Sequence, residues 1–88
     1  MKEYKIEFLK SAKKELSKLP INIQERIRNK LEMLKINPYP ADAKQLKNGD
    51  GRLRIRIGDY RIIYKVENNV LAILVIKIGH RSKIYKNF

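Results

Sequence analysis

Along this chain the apolar positions switch from a period of two to helical spacing, and then back to a period of two. Residues 4–8 alternate, with Tyr4, Ile6 and Phe8 on one side and Lys5 and Glu7 on the other; this predicts a short half-buried strand. From there Phe8, Ala12, Leu16 and Leu19 recur at helical spacing, with Lys13, Lys14 and Lys18 on other faces. Pro20 ends that helix, because proline lacks the amide donor a helix interior needs. Ile23, Ile27, Leu31 and Leu34 mark a second amphipathic helix. It stops before Asn37-Pro38, since the residue preceding a proline is pushed out of the helical region. The short connection at Pro20 predicts antiparallel neighbours. Pro38-Tyr39-Pro40 opens an irregular loop running to about Gly51.

The rest of the chain reads as sheet. Residues 52–57 (Arg-Leu-Arg-Ile-Arg-Ile) alternate strictly, and Gly58-Asp59 is a two-residue hairpin signal. Residues 60–66 form a second strand, Asn68-Asn69 a turn, and residues 70–78 a third strand. The run 70–76 is apolar on both faces, which predicts a central strand covered on both sides. The whole is an α+β fold: a short N-terminal strand, two antiparallel helices, then a three-strand antiparallel meander against which the helices pack. With 88 residues, 43% of them hydrophobic, and no repeat or linker, residues 1–88 form a single domain. The charged N-terminus does not resemble a signal peptide, and the run 70–76 is too short to span a bilayer. A cytoplasmic protein without a membrane association is expected.

Charge changes the picture most. The net charge is +12 and the isoelectric point is near 10.1, so the domain attracts polyanions: nucleic acid first, an anionic membrane or acidic protein otherwise. The hairpin arithmetic places that charge. With Gly58-Asp59 as the turn, Ile57 faces Tyr60, Arg56 faces Arg61, Ile55 faces Ile62 and Arg54 faces Ile63. Paired residues share a face. Arg52, Arg54, Arg56, Arg61 and Lys65 therefore project from one side, and Leu53, Ile55, Ile57, Tyr60, Ile62, Tyr64 and Val66 from the side facing the helices. Like charges directly opposite destabilise a sheet by up to about 1 kcal/mol. A bound phosphate reverses that sign, because guanidinium forks donate paired hydrogen bonds to its oxygens.

The same inventory excludes most chemistries. His80 is the only histidine and there is no cysteine, which rules out a two-histidine ribonuclease and an ordinary zinc site. Asp42, Asp50 and Asp59 are scattered in loops, with no carboxylate cluster for magnesium. There is no phosphate-binding Gly-rich loop and no serine-hydrolase elbow. No metal and no cofactor are expected. An enzyme of this composition works with Arg, Lys, Tyr and at most the one His80, on a substrate that carries its own nucleophile. RNA fits, through its 2′-hydroxyl. Residues 79–85 (Gly-His-Arg-Ser-Lys-Ile-Tyr) add a bend at Gly79, a cation at Arg81 and a phenol at Tyr85.

Several segments together resemble the RelE/ParE superfamily of toxins from toxin–antitoxin pairs, in its RelE-like mRNA-interferase branch. They are Leu16-Ser17-Lys18-Leu19-Pro20, Asn37-Pro38, Gln45-Leu46-Lys47, the stretch from Arg54-Ile55-Arg56-Ile57-Gly58-Asp59 through Tyr60-Arg61-Ile62-Ile63-Tyr64, and Ile78-Gly79-His80-Arg81 with Tyr85. The resemblance covers nearly the whole chain. It implies a toxin that enters the ribosomal A site and cleaves mRNA by metal-independent 2′-hydroxyl attack, leaving a cyclic phosphate. The implied catalytic residues are Arg61, Arg81 and Tyr85, with His80 as an acid or base or a packing residue. The implied phosphate-binding residues are Arg54 and Arg56, and Arg52, on the same predicted face, and Lys47 are expected to join them. The implied partners are mRNA on the ribosome and an acidic or amphipathic, partly disordered RelB-like antitoxin that folds around this domain.

One departure bears on mechanism. The best-known RelE-type enzymes have lysines where this chain has Arg54 and Arg56. Arginine stays protonated and is a poor general base, so the pair would bind phosphate while Tyr85 or His80 moves the proton. Three alternatives are set against this reading. One is a ParE-like inhibitor of DNA gyrase, against which Arg61, Arg81 and Tyr85 argue. Another is a family member that binds RNA or antitoxin without cleaving. The third, an architectural DNA-binding protein, lacks a recognition-helix pattern.

Overall fold

A computed structural model of the chain describes residues 3–47 and 50–84. In chain order it contains β1 (Lys5–Phe8), α1 (Lys10–Ser17), α2 (Ile21–Ile36), β2 (Lys44–Gln45), β3 (Leu53–Ile57), β4 (Tyr60–Glu67) and β5 (Ala72–His80). The strands form one sheet in the order β1-β5-β4-β3-β2. The expected meander is its inner part, and the expected register of β3 on β4 holds at every pair, Arg56 opposite Arg61 included.

Four local features differ from the periodicity. β1 pairs parallel with β5, seated by hydrogen bonds from Lys5 N to Leu71 O (2.9 Å) and from Leu9 N to Val75 O (3.0 Å), so the sheet is mixed. Phe8 closes β1 and α1 starts at Lys10, because the apolar ring serves the core from the strand. The loop after Pro40 contains β2, which pairs antiparallel with β3; two residues are too few to show a period. Asn68–Val70 is a turn of 3-10 helix, followed by Leu71 at φ 49°. β5 thus begins at Ala72, leaving Val70 exposed, and β5 lies between β1 and β4 while β4 holds the centre.

The helices cover one face of the sheet. Ala12 and Leu16 of α1 and Ile27, Leu31 and Leu34 of α2 meet Leu53, Ile55, Ile57, Ile62, Tyr64, Ile73, Val75 and Ile78. The corner between the helices is closed by Gln24, whose Nε2 donates to Leu19 O at 2.8 Å. Glu15 ties α1 to the sheet by accepting the Ile78 amide at 3.0 Å, just past the bulge where pairing jumps from Ile63–Lys77 to Tyr64–Val75. Tyr64 is fully buried and its hydroxyl donates to Pro38 O at 2.8 Å, which anchors the loop after α2.

Burial, with the negative charges of Asp42 and ionised Tyr39 adding to it, pushes the Tyr64 phenol above its ordinary value of 10.0. The folded value exceeds the unfolded one, so this contribution is complete below about pH 10 and declines as pH rises past it. Tyr64→Phe is therefore expected to lower stability near neutrality by about 1 kcal/mol, the worth of one hydrogen bond. It should also flatten the alkaline decline, as urea melts near pH 7 and above pH 10 would show.

Candidate nucleic-acid interface

The face of the sheet away from the helices carries the basic side chains. Lys44 stands opposite Arg54, and Arg56 opposite Arg61. Together with Asp42 and Gly58 they line an open cleft of about 420 Å³. β3 supplies Arg54 and Arg56 at alternate positions, β4 supplies Arg61, and β2 adds Lys44 at the rim.

The hairpin tip holds these guanidinium groups in place. Gly58 has φ +58° while Asp59 is not left-handed, the requirement of a turn with glycine at its first central position. Its carbonyl accepts from both Arg56 Nε (3.1 Å) and Arg61 Nη1 (3.1 Å), and Arg61 Nη1 also donates to Tyr60 O at 3.1 Å. One backbone oxygen thus offsets part of the repulsion between two cations. The guanidinium of Arg26 on α2 comes within 3.3 Å of where a Cβ on Gly58 would stand. That places a further cation at the tip.

This face is not simply solvated. Arg61 is only 9% exposed and Ile63, its neighbour but one, is fully buried. Residues 81–84 fold back as a turn, and Ile84 is 1% exposed. Its Cδ1 lies 3.4 Å from a Cβ built on Gly79, which is paired with Arg61 and shares its face. Glycine at 79 leaves room for that isoleucine.

The expected site residues divide. Arg54, Arg56 and Arg61 share the cleft. Arg81 reaches the hairpin tip from β5: its amide donates to Asp59 O at 2.8 Å, and its Nε lies 3.7 Å from Asp59 Oδ1. Arg52 and Lys47 stand at the other end of the β2–β3 ladder, past the bond from Leu46 N to Arg52 O, and do not line the cleft. His80 pairs with Tyr60 and not with Arg61, so its ring starts from the helix side of the sheet. There it meets the Tyr60 ring edge-on at 5.6 Å. Tyr85 lies outside the described residues.

Three contributors have no signal in the sequence pattern. Lys44 sits in a strand too short to recognise, Arg26 reaches the tip only through the packing of α2, and Asp42 is an acid within a basic cleft. Asp42 accepts from Lys30 Nζ at 2.8 Å, and this bond holds its carboxyl below the ordinary 3.8. Among the described residues no three His, Asp or Glu side chains converge on a point. No helix there is long and apolar enough to cross a membrane.

Helices on one face of a mixed sheet and a backbone-anchored arginine cleft on the other define a small α+β protein with one strongly basic sheet face. The family described as "ParE toxin of type II toxin-antitoxin system, parDE" matches residues 6–85, and the chain belongs to the RelE/ParE toxin superfamily. Toxin RelE3 of Methanocaldococcus jannaschii is 33% identical over 88 residues, covering 96% of this chain and 98% of its own. The archaeal RelE–RelB complex from Pyrococcus horikoshii OT3 superimposes with a TM-score of 0.80 at 28% identity, covering 92% of this chain and 98% of that one. The intact Escherichia coli RelBE toxin–antitoxin complex gives 0.78 at 26% identity, covering 88% and 95%.

Proposed function

We propose that this protein is a ribosome-dependent endoribonuclease that cleaves mRNA in the A site by 2′-hydroxyl attack, without a metal or cofactor. The observation that carries the reading is the convergence of Arg54, Arg56 and Arg61 in one cleft, with Arg81 held at the hairpin tip by Asp59. In the reaction the 2′-oxygen bonds to phosphorus and the P–O5′ bond breaks. The 2′-hydroxyl gives up a proton and the 5′-oxygen gains one. Negative charge builds on the phosphoryl oxygens, and prealigned guanidinium donors stabilise it more in the transition state than in the ground state. Arg61, held by two carbonyls and largely buried, is suited to that role. Arg54 and Arg56 bind and orient the phosphate but cannot accept a proton. In this reading Tyr85 moves it.

A large polyanionic partner also accounts for charge far from the cleft. Lys10, Lys14 and Lys18 are exposed on the side of α1 opposite the buried Ala12 and Leu16, and Lys13 is exposed on its flank. The one acid of that helix, Glu15, is turned inward to Ile78 N, so it does not neutralise the stripe. Replacing the four lysines by glutamine is expected to weaken ribosome binding. The salt dependence of log K should flatten by about 0.7–0.9 for each phosphate that is no longer neutralised, as titrations at several ionic strengths would show.

The antitoxin expectation fits the other exposed surface. A groove of about 440 Å³ is lined by Ile6, Phe8, Leu16 and Leu31, and Ile21, Met33 and Ile36 of α2 are exposed. An amphipathic chain would cover both, and the related RelE proteins form complexes with RelB.

The ParE name of the matching family favours one second reading, inhibition of gyrase. Induced expression followed by primer extension on a translated message separates the two. Discrete cleavage within codons supports the RNase. Intact message with loss of plasmid supercoiling replaces it with the gyrase reading.

A further inference from the structure

We infer that His80 is a positioning residue: its ring caps the turn that carries Arg81, and it transfers no proton. This rests on the RNA-cleaving reading above.

The turn begins at His80. Its carbonyl accepts from Lys83 N at 2.9 Å and from Ile84 N at 3.0 Å, the i+3 and i+4 bonds of a first helical turn. The amides at the start of such a turn have no partner within it. One of them, Ser82 N, donates to His80 Nδ1 at 3.2 Å, and Ser82 Oγ lies 2.9 Å from the same nitrogen. The imidazole therefore occupies the slot that Asn, Asp, Ser or Thr usually fills at a helix N-cap. A backbone amide can only donate, so Nδ1 is an acceptor and the neutral ring carries its proton on Nε2.

The capped turn is fixed on both sides. At its start, Arg81 N donates to Asp59 O at the hairpin tip; at its end, Ile84 packs over Gly79 on the arginine face. The His80 ring itself leaves β5 on the opposite face from Arg61, since it pairs with Tyr60 while Gly79 pairs with Arg61. Imidazole and cleft arginines therefore start from opposite faces of the sheet. His80 thus acts on the reaction through the place it gives Arg81.

Two amide side chains test this. In asparagine, Oδ1 is as far along the side chain as Nδ1 and can accept from Ser82 N, but it does not titrate near neutrality. In glutamine the amide lies one bond further out and misses the cap. Single-turnover cleavage on preassembled ribosome complexes should fall on the order of 10²-fold in His80→Ala and His80→Gln, the loss that follows small misplacement of a catalytic group. His80→Asn should stay within about threefold of wild type, because Asn is a preferred cap residue.

Amide exchange by NMR gives a readout that needs no activity. Protection at Ser82 should drop about fivefold in His80→Ala, the usual worth of a cap, and be retained in His80→Asn. His80→Asn as impaired as His80→Ala, with Ser82 protection intact, would overturn the positioning role and restore proton transfer. Unchanged Ser82 exchange in His80→Ala would show that the cap does not hold the turn. Wild-type protein that cuts no message would instead sink the RNase reading, and the exchange data would still decide the cap.

Discussion

Arg61→Ala is expected to lower single-turnover cleavage by about 10²–10³-fold, the usual effect of removing one preorganised donor from a developing oxyanion. Three features set the size. The guanidinium is directed by bonds to Gly58 O and Tyr60 O, it is mostly withdrawn from water, and it faces Arg56 across the hairpin. A cation so placed needs no reorganisation as charge builds on phosphate. Arg61→Lys keeps the charge but loses the planar fork, which matches phosphate with two parallel donors, and should fall between alanine and wild type. Arg81→Ala should show a comparable loss with an unchanged melting temperature, because the Arg81 side chain is 63% exposed and its ion pair with Asp59 is long, at 3.7 Å. Wild-type rates in both alanine variants, with native melting, would remove the cleft from catalysis and leave the gyrase or binding readings.

Tyr85→Phe should cost about 10²-fold or more in the same assay, the lower range for loss of a general acid or base. The expectation follows by elimination from the other groups. Arg54 and Arg56 carry guanidinium groups, which have donors and no acceptor for a proton. His80 has Nδ1 engaged by Ser82 and starts from the wrong face of the sheet. Asp42 lines the cleft, but its bond to Lys30 makes it a weaker base than an ordinary carboxylate. Tyr85 is then the residue that the family resemblance implies for the task. Phenylalanine keeps the ring and removes only the hydroxyl. If Tyr85→Phe cleaves at the wild-type rate while Tyr85→Ala fails, the ring stacks on a base, an interaction worth about 1–3 kcal/mol, and the proton moves elsewhere.

The sequence by itself determined the order of the main elements and the face on which the charge lies. Both rest on short-range geometry. Helical spacing in residues 12–34 fixes which side of each helix is buried, and strict alternation at 53–57 with a Gly-Asp turn fixes the β3–β4 register. Once Arg56 stands opposite Arg61, their common face follows from the pleat alone. What the tertiary structure decided depends on contacts between residues far apart in the chain. β1 finds β5 across more than sixty residues, and nothing in a four-residue alternation names its partner or its direction. β2 exists only because β3 offers it an edge. Arg26 reaches the tip through the packing of α2, and Ile84 lies over Gly79 because the chain turns back at His80. His80 and Arg81 are adjacent in sequence, which by itself suggests a shared catalytic task. Strand pairing sends the His80 ring to the face opposite Arg61, and the amide of Ser82 gives it a structural task that no local pattern reveals.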